Sequence, residues 1–123
     1  MKRNKLTSIE ALRQCKALWM WLEKHPKQTC PSYEAKALWP GWKKLGEYVC
    51  NCPCCEWKEQ HWARCAVCPL TGFAWKDHCK SNDRPYNPYM KWCNADNNKE
   101  QVAAAHQMVL ACRRALRSLG VNA

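Results

Sequence analysis

The sequence predicts a mainly α protein with a small irregular zinc-binding module, a double Cys-x2-Cys knuckle, and little β structure. Three observations carry that reading. Apolar residues recur at helical spacing in one stretch near each end of the chain, and between them the run CNCPCCEWKEQHWARCAVCPL, residues 50–70, holds two pairs of thiols separated by two residues. With 123 residues there is room for one domain, 1–123, comprising an N-terminal helix over 7–25, a zinc module over 47–72 and a C-terminal helix over 98–119.

Thr7 and Glu10 have the spacing of a capping box, in which the hydroxyl takes one free amide and the carboxylate returns to another. Behind it Ile9, Leu12, Cys15, Leu18, Trp19 and Leu22 form one apolar stripe, with Lys16 and Glu23 on the opposite face. Pro26 ends this helix near His25. Ser32 is positioned to cap a short helix that Pro40-Gly41 stops, and Trp39 and Trp42 bracket that corner. Residues 47–50 alternate as a short strand would, and residues 56–63, free of Gly and Pro, suit two helical turns with Trp57 and His61 on one face. Pro69 to Gly72 reads as a turn, and Phe73 to Met90, rich in Asn, Asp, Pro and Tyr, as an irregular wrap.

After a polar break at Asn94 to Asn98, the longest helical pattern begins. Val102, Val109 and Leu116 repeat every seven residues, as do Ala105, Cys112 and Leu119, and Gly120 supplies a left-handed stop. The pattern predicts antiparallel packing on the first helix, with small Ala103, Ala104 and Ala105 permitting close approach. A homodimer seam through this helix is the alternative to a monomer.

Cys52, Cys55, Cys65 and Cys68 are the expected ligands of one tetrahedral Zn2+. Four sulfurs leave no open position for water or substrate, so the metal should brace the fold rather than perform chemistry. Cys54 competes with Cys52 or Cys55, His61 or Cys79 could replace one ligand, and Cys50, Cys54, Cys79 and Cys93 offer thiols for a second ion. A disulfide framework is the rival. The odd count of 11 cysteines and a start, MKRNKLTSIEALRQ, without an apolar export segment favour a reducing interior and metal.

Twenty Lys and Arg against ten Asp and Glu give a net charge of +10, which suits an anionic partner. Lys43, Lys44, Lys58, Arg64, Arg113, Arg114 and Arg117 are the candidate contacts to nucleic acid or to an acidic protein, with Trp62 and Trp75 available to stack on bases. Eight tryptophans in a chain poor in Ile, Val and Phe should first of all build the core. No apolar run is long enough to cross a bilayer.

Leu18-Trp19-x-Trp21-Leu22 with His25-Pro26, then Trp39-Pro40-Gly41-Trp42, Cys52-x-x-Cys55-Glu56-Trp57, Cys65-x-x-Cys68-Pro69-Leu70 and Pro88-Tyr89-x-x-Trp92 follow one another ahead of the closing helix. In that order the set resembles a group of small zinc-knuckle proteins of tailed phages and prophages, over residues 17–117. The resemblance implies a viral origin, hence the cytoplasm of a bacterial host, and a zinc knuckle pair; it brings no activity. The additional thiols Cys30, Cys50, Cys54 and Cys93 and the basic charge depart from the group's pattern.

The expected function is therefore a non-enzymatic phage accessory protein that binds nucleic acid or a nucleoprotein complex. Its first rival is a host-takeover or anti-defence inhibitor that docks on a protein. A third reading, an HNH-like nuclease, would draw on Asp77-His78, Asn94 or Asn97, and His106, but these lack the strand and helix context of that site. A thiol-redox role for Cys52-Pro53-Cys54-Cys55 lacks a βαβ context.

Overall fold

The computed structural model describes residues 7–26, 38–45, 52–61, 68–75 and 86–122, and these are mainly helical. Five helices are present among them: α1 (Ser8–Lys24), α2 (Trp42–Leu45), α3 (Pro53–Gln60), α4 (Pro88–Cys93) and α5 (Asn98–Ser118). The expected helix after Ser32 and the expected strand over 47–50 lie outside the described residues.

α1 starts where its capping box dictates. The Thr7 hydroxyl accepts the Glu10 amide at 3.1 Å, and the Glu10 carboxylate accepts the Thr7 amide at 3.1 Å. Its stripe buries Ala11, Leu12, Cys15, Leu18, Trp19 and Leu22, and the chain leaves the helix at His25, whose ring stacks on Trp21 with centroids 4.5 Å apart.

α5 begins at Asn97, whose side-chain oxygen accepts the Glu100 amide at 2.8 Å. It buries Ala104, Ala105, Met108, Val109, Ala111, Cys112, Ala115 and Leu116. Gly120, with φ +80, ends it as expected: its amide bonds Arg117 O at 2.9 Å and the Val121 amide returns to Leu116 O at 3.1 Å, the paired bonds of a Schellman motif. The two long helices run antiparallel. Cys15 touches Cys112, and eight residues further along α1 Glu23 meets His106, six residues back along α5, at 2.7 Å.

Two departures from the sequence reading concern helix starts. α3 begins at Pro53 rather than at Glu56, because proline at the first helical position has its φ already set and no amide to leave unbonded. At the end of the stretch read as an irregular wrap, and running three residues past it, residues 88–93 form α4: Asn87 accepts the Met90 amide at 2.9 Å and Pro88 again opens the first turn. α4 delivers Tyr89 and Trp92 to Trp19 of α1, edge to face, at 6.1 Å and 5.0 Å. Such pairs add about 0.5–1.5 kcal/mol each beyond the area they bury. Tryptophan thus does serve the core, at Trp19, Trp75 and Trp92.

The segment over 68–75 folds into a compact turn. Gly72, at φ +89, donates its amide to Trp75 O at 2.7 Å, and the Ala74 amide reaches Leu70 O at 2.9 Å, which leaves Leu70 fully buried. At the other corner Trp39 and Trp42 meet edge to face at 5.0 Å. The Trp39 ring there lies against the α-carbon of Gly41, where no β-carbon could fit. Among the described residues no helix is long and apolar enough to cross a membrane.

Gly41→Ala should therefore cost about 1–3 kcal/mol of stability by overpacking. In urea titrations the double variant Trp39→Ala/Gly41→Ala should lose less than the sum of the two single changes, because removing the ring removes the clash; strict additivity would contradict the contact. Gly120→Ala should cost about 1 kcal/mol, the penalty for an L residue in the left-handed region. An unchanged denaturation midpoint would exclude that helix stop.

Candidate metal centre

Seven described cysteines are free thiols: Cys15, Cys52, Cys54, Cys55, Cys68, Cys93 and Cys112. Helix packing draws five of them together. Cys15 sits on the buried stripe of α1, midway along the helix, and Cys112 on the facing stripe of α5, so the antiparallel contact sets the two thiols against each other. Cys52 is the N-cap of α3 and Cys54 lies in its first turn, which is buried against α1; the Cys54 thiol donates to the Ala11 carbonyl oxygen at 3.9 Å. Cys15, Cys52 and Cys54 are in mutual contact, each with the other two. Cys112 extends this triangle from Cys15, and Cys68, at the start of the 68–75 turn, extends it from Cys54.

Cys15, Cys54 and Cys112 are fully buried, and Cys68 is nearly so. The thiol hydrogen bond to Cys112, then that to Cys52, holds the Cys15 pKa well above the usual thiol value. Burial first, and then contact with Cys15, Cys52 and Cys68, does the same for Cys54. Cys15 and Cys54 are therefore held as protonated thiols in an apolar setting. Sulfur is the donor type that a soft, tetrahedral ion takes. Among the described residues, however, no group of three or more Cys, His, Asp or Glu side chains is arranged so that it could hold a metal ion.

The four ligands expected from the knuckle spacing are distributed as follows. Cys52 and Cys68 belong to the thiol cluster, Cys55 is half-buried on α3, and Cys65 lies outside the described residues. Of the second set, Cys54 is at the centre of the cluster, Cys93 is half-buried at the end of α4, and Cys50 and Cys79 lie outside the described residues. Sequence reasoning took Cys15 and Cys112 only as apolar stripe positions. Cys15 also meets Cys52 and Cys54 of α3 and Cys112 of α5, a meeting that the two stripes read separately do not signal.

The candidate contacts for a partner divide sharply. Lys43 and Arg117 are exposed, and Arg114 is exposed while donating to the Phe73 carbonyl oxygen at 3.2 Å. Lys58 is half-buried and pairs with Glu59 at 3.2 Å, and Arg113 is half-buried with its Nε unbonded. Lys44 falls in α2 with its side chain outside the described set, as are Trp62 and Arg64. Trp75 requires a correction: at 8% exposure it belongs to the core, where its ring cannot stack on a base.

The described members of the HNH-like set all have structural partners. Asn94 donates to Met90 O at 2.8 Å at the end of α4, Asn97 caps α5, and His106 pairs with Glu23; Asp77 and His78 lie outside the described residues. Comparison with family models, with curated proteins and with solved structures returns no match.

Proposed function

We propose that the protein is a non-enzymatic phage accessory factor, braced by zinc in the host cytoplasm, whose basic surface binds nucleic acid or a nucleoprotein complex. One observation supports this reading most: in a chain of net charge +10, several of the described cations are exposed and outside any ion pair among the described residues. The exposed Arg13, Lys24, Lys43, Lys91, Lys99 and Arg117 make no ion pair with any described residue. Uncompensated cations concentrate polyanions by long-range attraction and gain further from the counterions those polyanions release.

Docking on an acidic host or defence protein is the second reading, favoured by the exposed apolar side chains Met20, Leu38 and Leu119. Salt separates the two. Protein freed of co-purifying nucleic acid should bind labelled DNA or RNA at low ionic strength, and affinity should fall by roughly 10³-fold or more between 50 and 200 mM salt if six or more phosphates are engaged. The double variant Lys43→Gln/Arg117→Gln should flatten the salt slope by about 2 for duplex DNA while leaving the melting temperature unchanged. Failure to bind either nucleic acid at low ionic strength would exclude the first reading.

The zinc part of the proposal is tested separately. Cys52→Ser and Cys68→Ser should each give insoluble or molten protein, because a structural zinc contributes on the order of 10 kcal/mol to folding. Circular dichroism showing a native, cooperative unfolding transition for both variants would contradict it.

A further inference from the structure

We propose that the groove between α1 and the Trp39-Pro40-Gly41-Trp42 corner takes an unpaired nucleobase, which stacks on Trp39 while its phosphate meets Arg13, so that the nucleic acid bound is single-stranded. This rests on the nucleic-acid reading above and adds to it a site and a strand state.

A cavity of about 480 Å³ opens between the two elements, within the size range of pockets that hold small molecules. Arg13 and Ala17, one turn apart on α1, line it together with Trp39, Pro40, Gly41 and Leu45, and no acidic side chain is among its described lining residues. Ala17 and Pro40 are exposed, so the groove is open to solvent rather than a packing void. The corner holds its ring in place. The Trp42 amide bonds Trp39 O at 3.3 Å, the Lys43 amide Pro40 O at 3.2 Å and the Leu45 amide Gly41 O at 3.3 Å, which closes residues 39–45 into tight turns. Trp39 lies against Gly41 and meets Trp42 edge to face, yet it is only half-buried and lines the groove. A ring already fixed in this way loses little freedom when a base stacks on it. Trp19, Trp75 and Trp92, by contrast, are committed to the core.

Charge selects the occupant. An apolar slot alone would accept a peptide side chain equally well. Here Arg13 lines the groove and Lys43 stands in α2 beside Trp42, both exposed and outside any ion pair among the described residues. Cations next to an accessible aromatic ring are the combination that follows a phosphate backbone and stacks its bases. In a duplex each base has its faces covered by its neighbours and its edge by its partner, so only an unpaired base can enter such a slot. Stacking on Trp39 reads no sequence, because every base offers a face.

Fluorescence-anisotropy titrations of the wild-type protein test the assignment without any variant that could misfold. The probes are a labelled oligothymidylate and a strand of equal length in which every nucleotide is abasic. Both carry the same phosphates, so counterion release is matched and the difference in affinity reports the bases. The thymidylate should bind about fivefold tighter or more, the effect of stacking one base. Equal affinities, or binding to a duplex alone, would overturn the inference while leaving the nucleic-acid reading intact. Failure to bind either strand or a duplex at low ionic strength would overturn both. As a second arm, Ala17→Glu places a carboxylate in the groove from an exposed helical position, and Lys99→Gln removes the same unit of charge at the start of α5, away from the groove. Ala17→Glu should abolish the advantage of the thymidylate over the abasic strand, whereas Lys99→Gln should weaken both strands alike and preserve it; an advantage that persists in Ala17→Glu contradicts the proposal.

Discussion

The antiparallel contact between α1 and α5 is the constraint from which the rest of the structure follows. Alanines at 104, 105, 111 and 115 keep the α5 face low, so that Leu12, Cys15, Leu18, Trp19 and Leu22 of α1 can bury completely or nearly so against it. Everything shorter is attached to that pair. α4 is held by the edge-to-face contacts of Trp92 and Tyr89 with Trp19, and α3 by the burial of Pro53 and Cys54 beside Ala11. A chain with few Ile, Val and Phe thus builds its core from leucine, tryptophan, alanine and cysteine, and the buried cysteines fall where α1 meets α3 and α5.

The contacts of α1 with α5 and with α3 are where the non-local part of the fold closes, and closing it brings position 15 against positions 112 and 54 at an entropic cost that packing has to offset. The exposed Lys43 and Arg117 stand on the outer faces of helices whose inner faces pack on the core, so substituting them should leave the core untouched.

Much of this was legible in the chain. Thr7 and Glu10 start α1 and Pro26 follows its end, Gly120 stops α5, and the apolar stripes identify the inner faces, because each of these signals acts within one or two helical turns. α4 was missed because Asn87-Pro88 looks like a turn when viewed in a segment rich in such residues, whereas Asn followed by Pro is equally an N-cap and first helical position. Cys15 and Cys112 were correctly placed on buried faces, yet their meeting depends on the level at which two helices ninety-odd residues apart in sequence cross, which neither stripe encodes. Charge marks a surface as basic without distinguishing phosphate from carboxylate, and the exposure of Lys43 and Arg117 does not change that.

The proposed function rests on cysteine thiols that hold one metal ion rather than cross-linking or standing idle. Native mass spectrometry of freshly isolated protein, kept reduced and free of added metal, tests it most directly. The account predicts the mass of the fully reduced chain plus one zinc and less the four protons that the thiols give up. A folded protein whose mass shows no bound metal, or the loss of two hydrogen atoms for each disulfide formed, would contradict it.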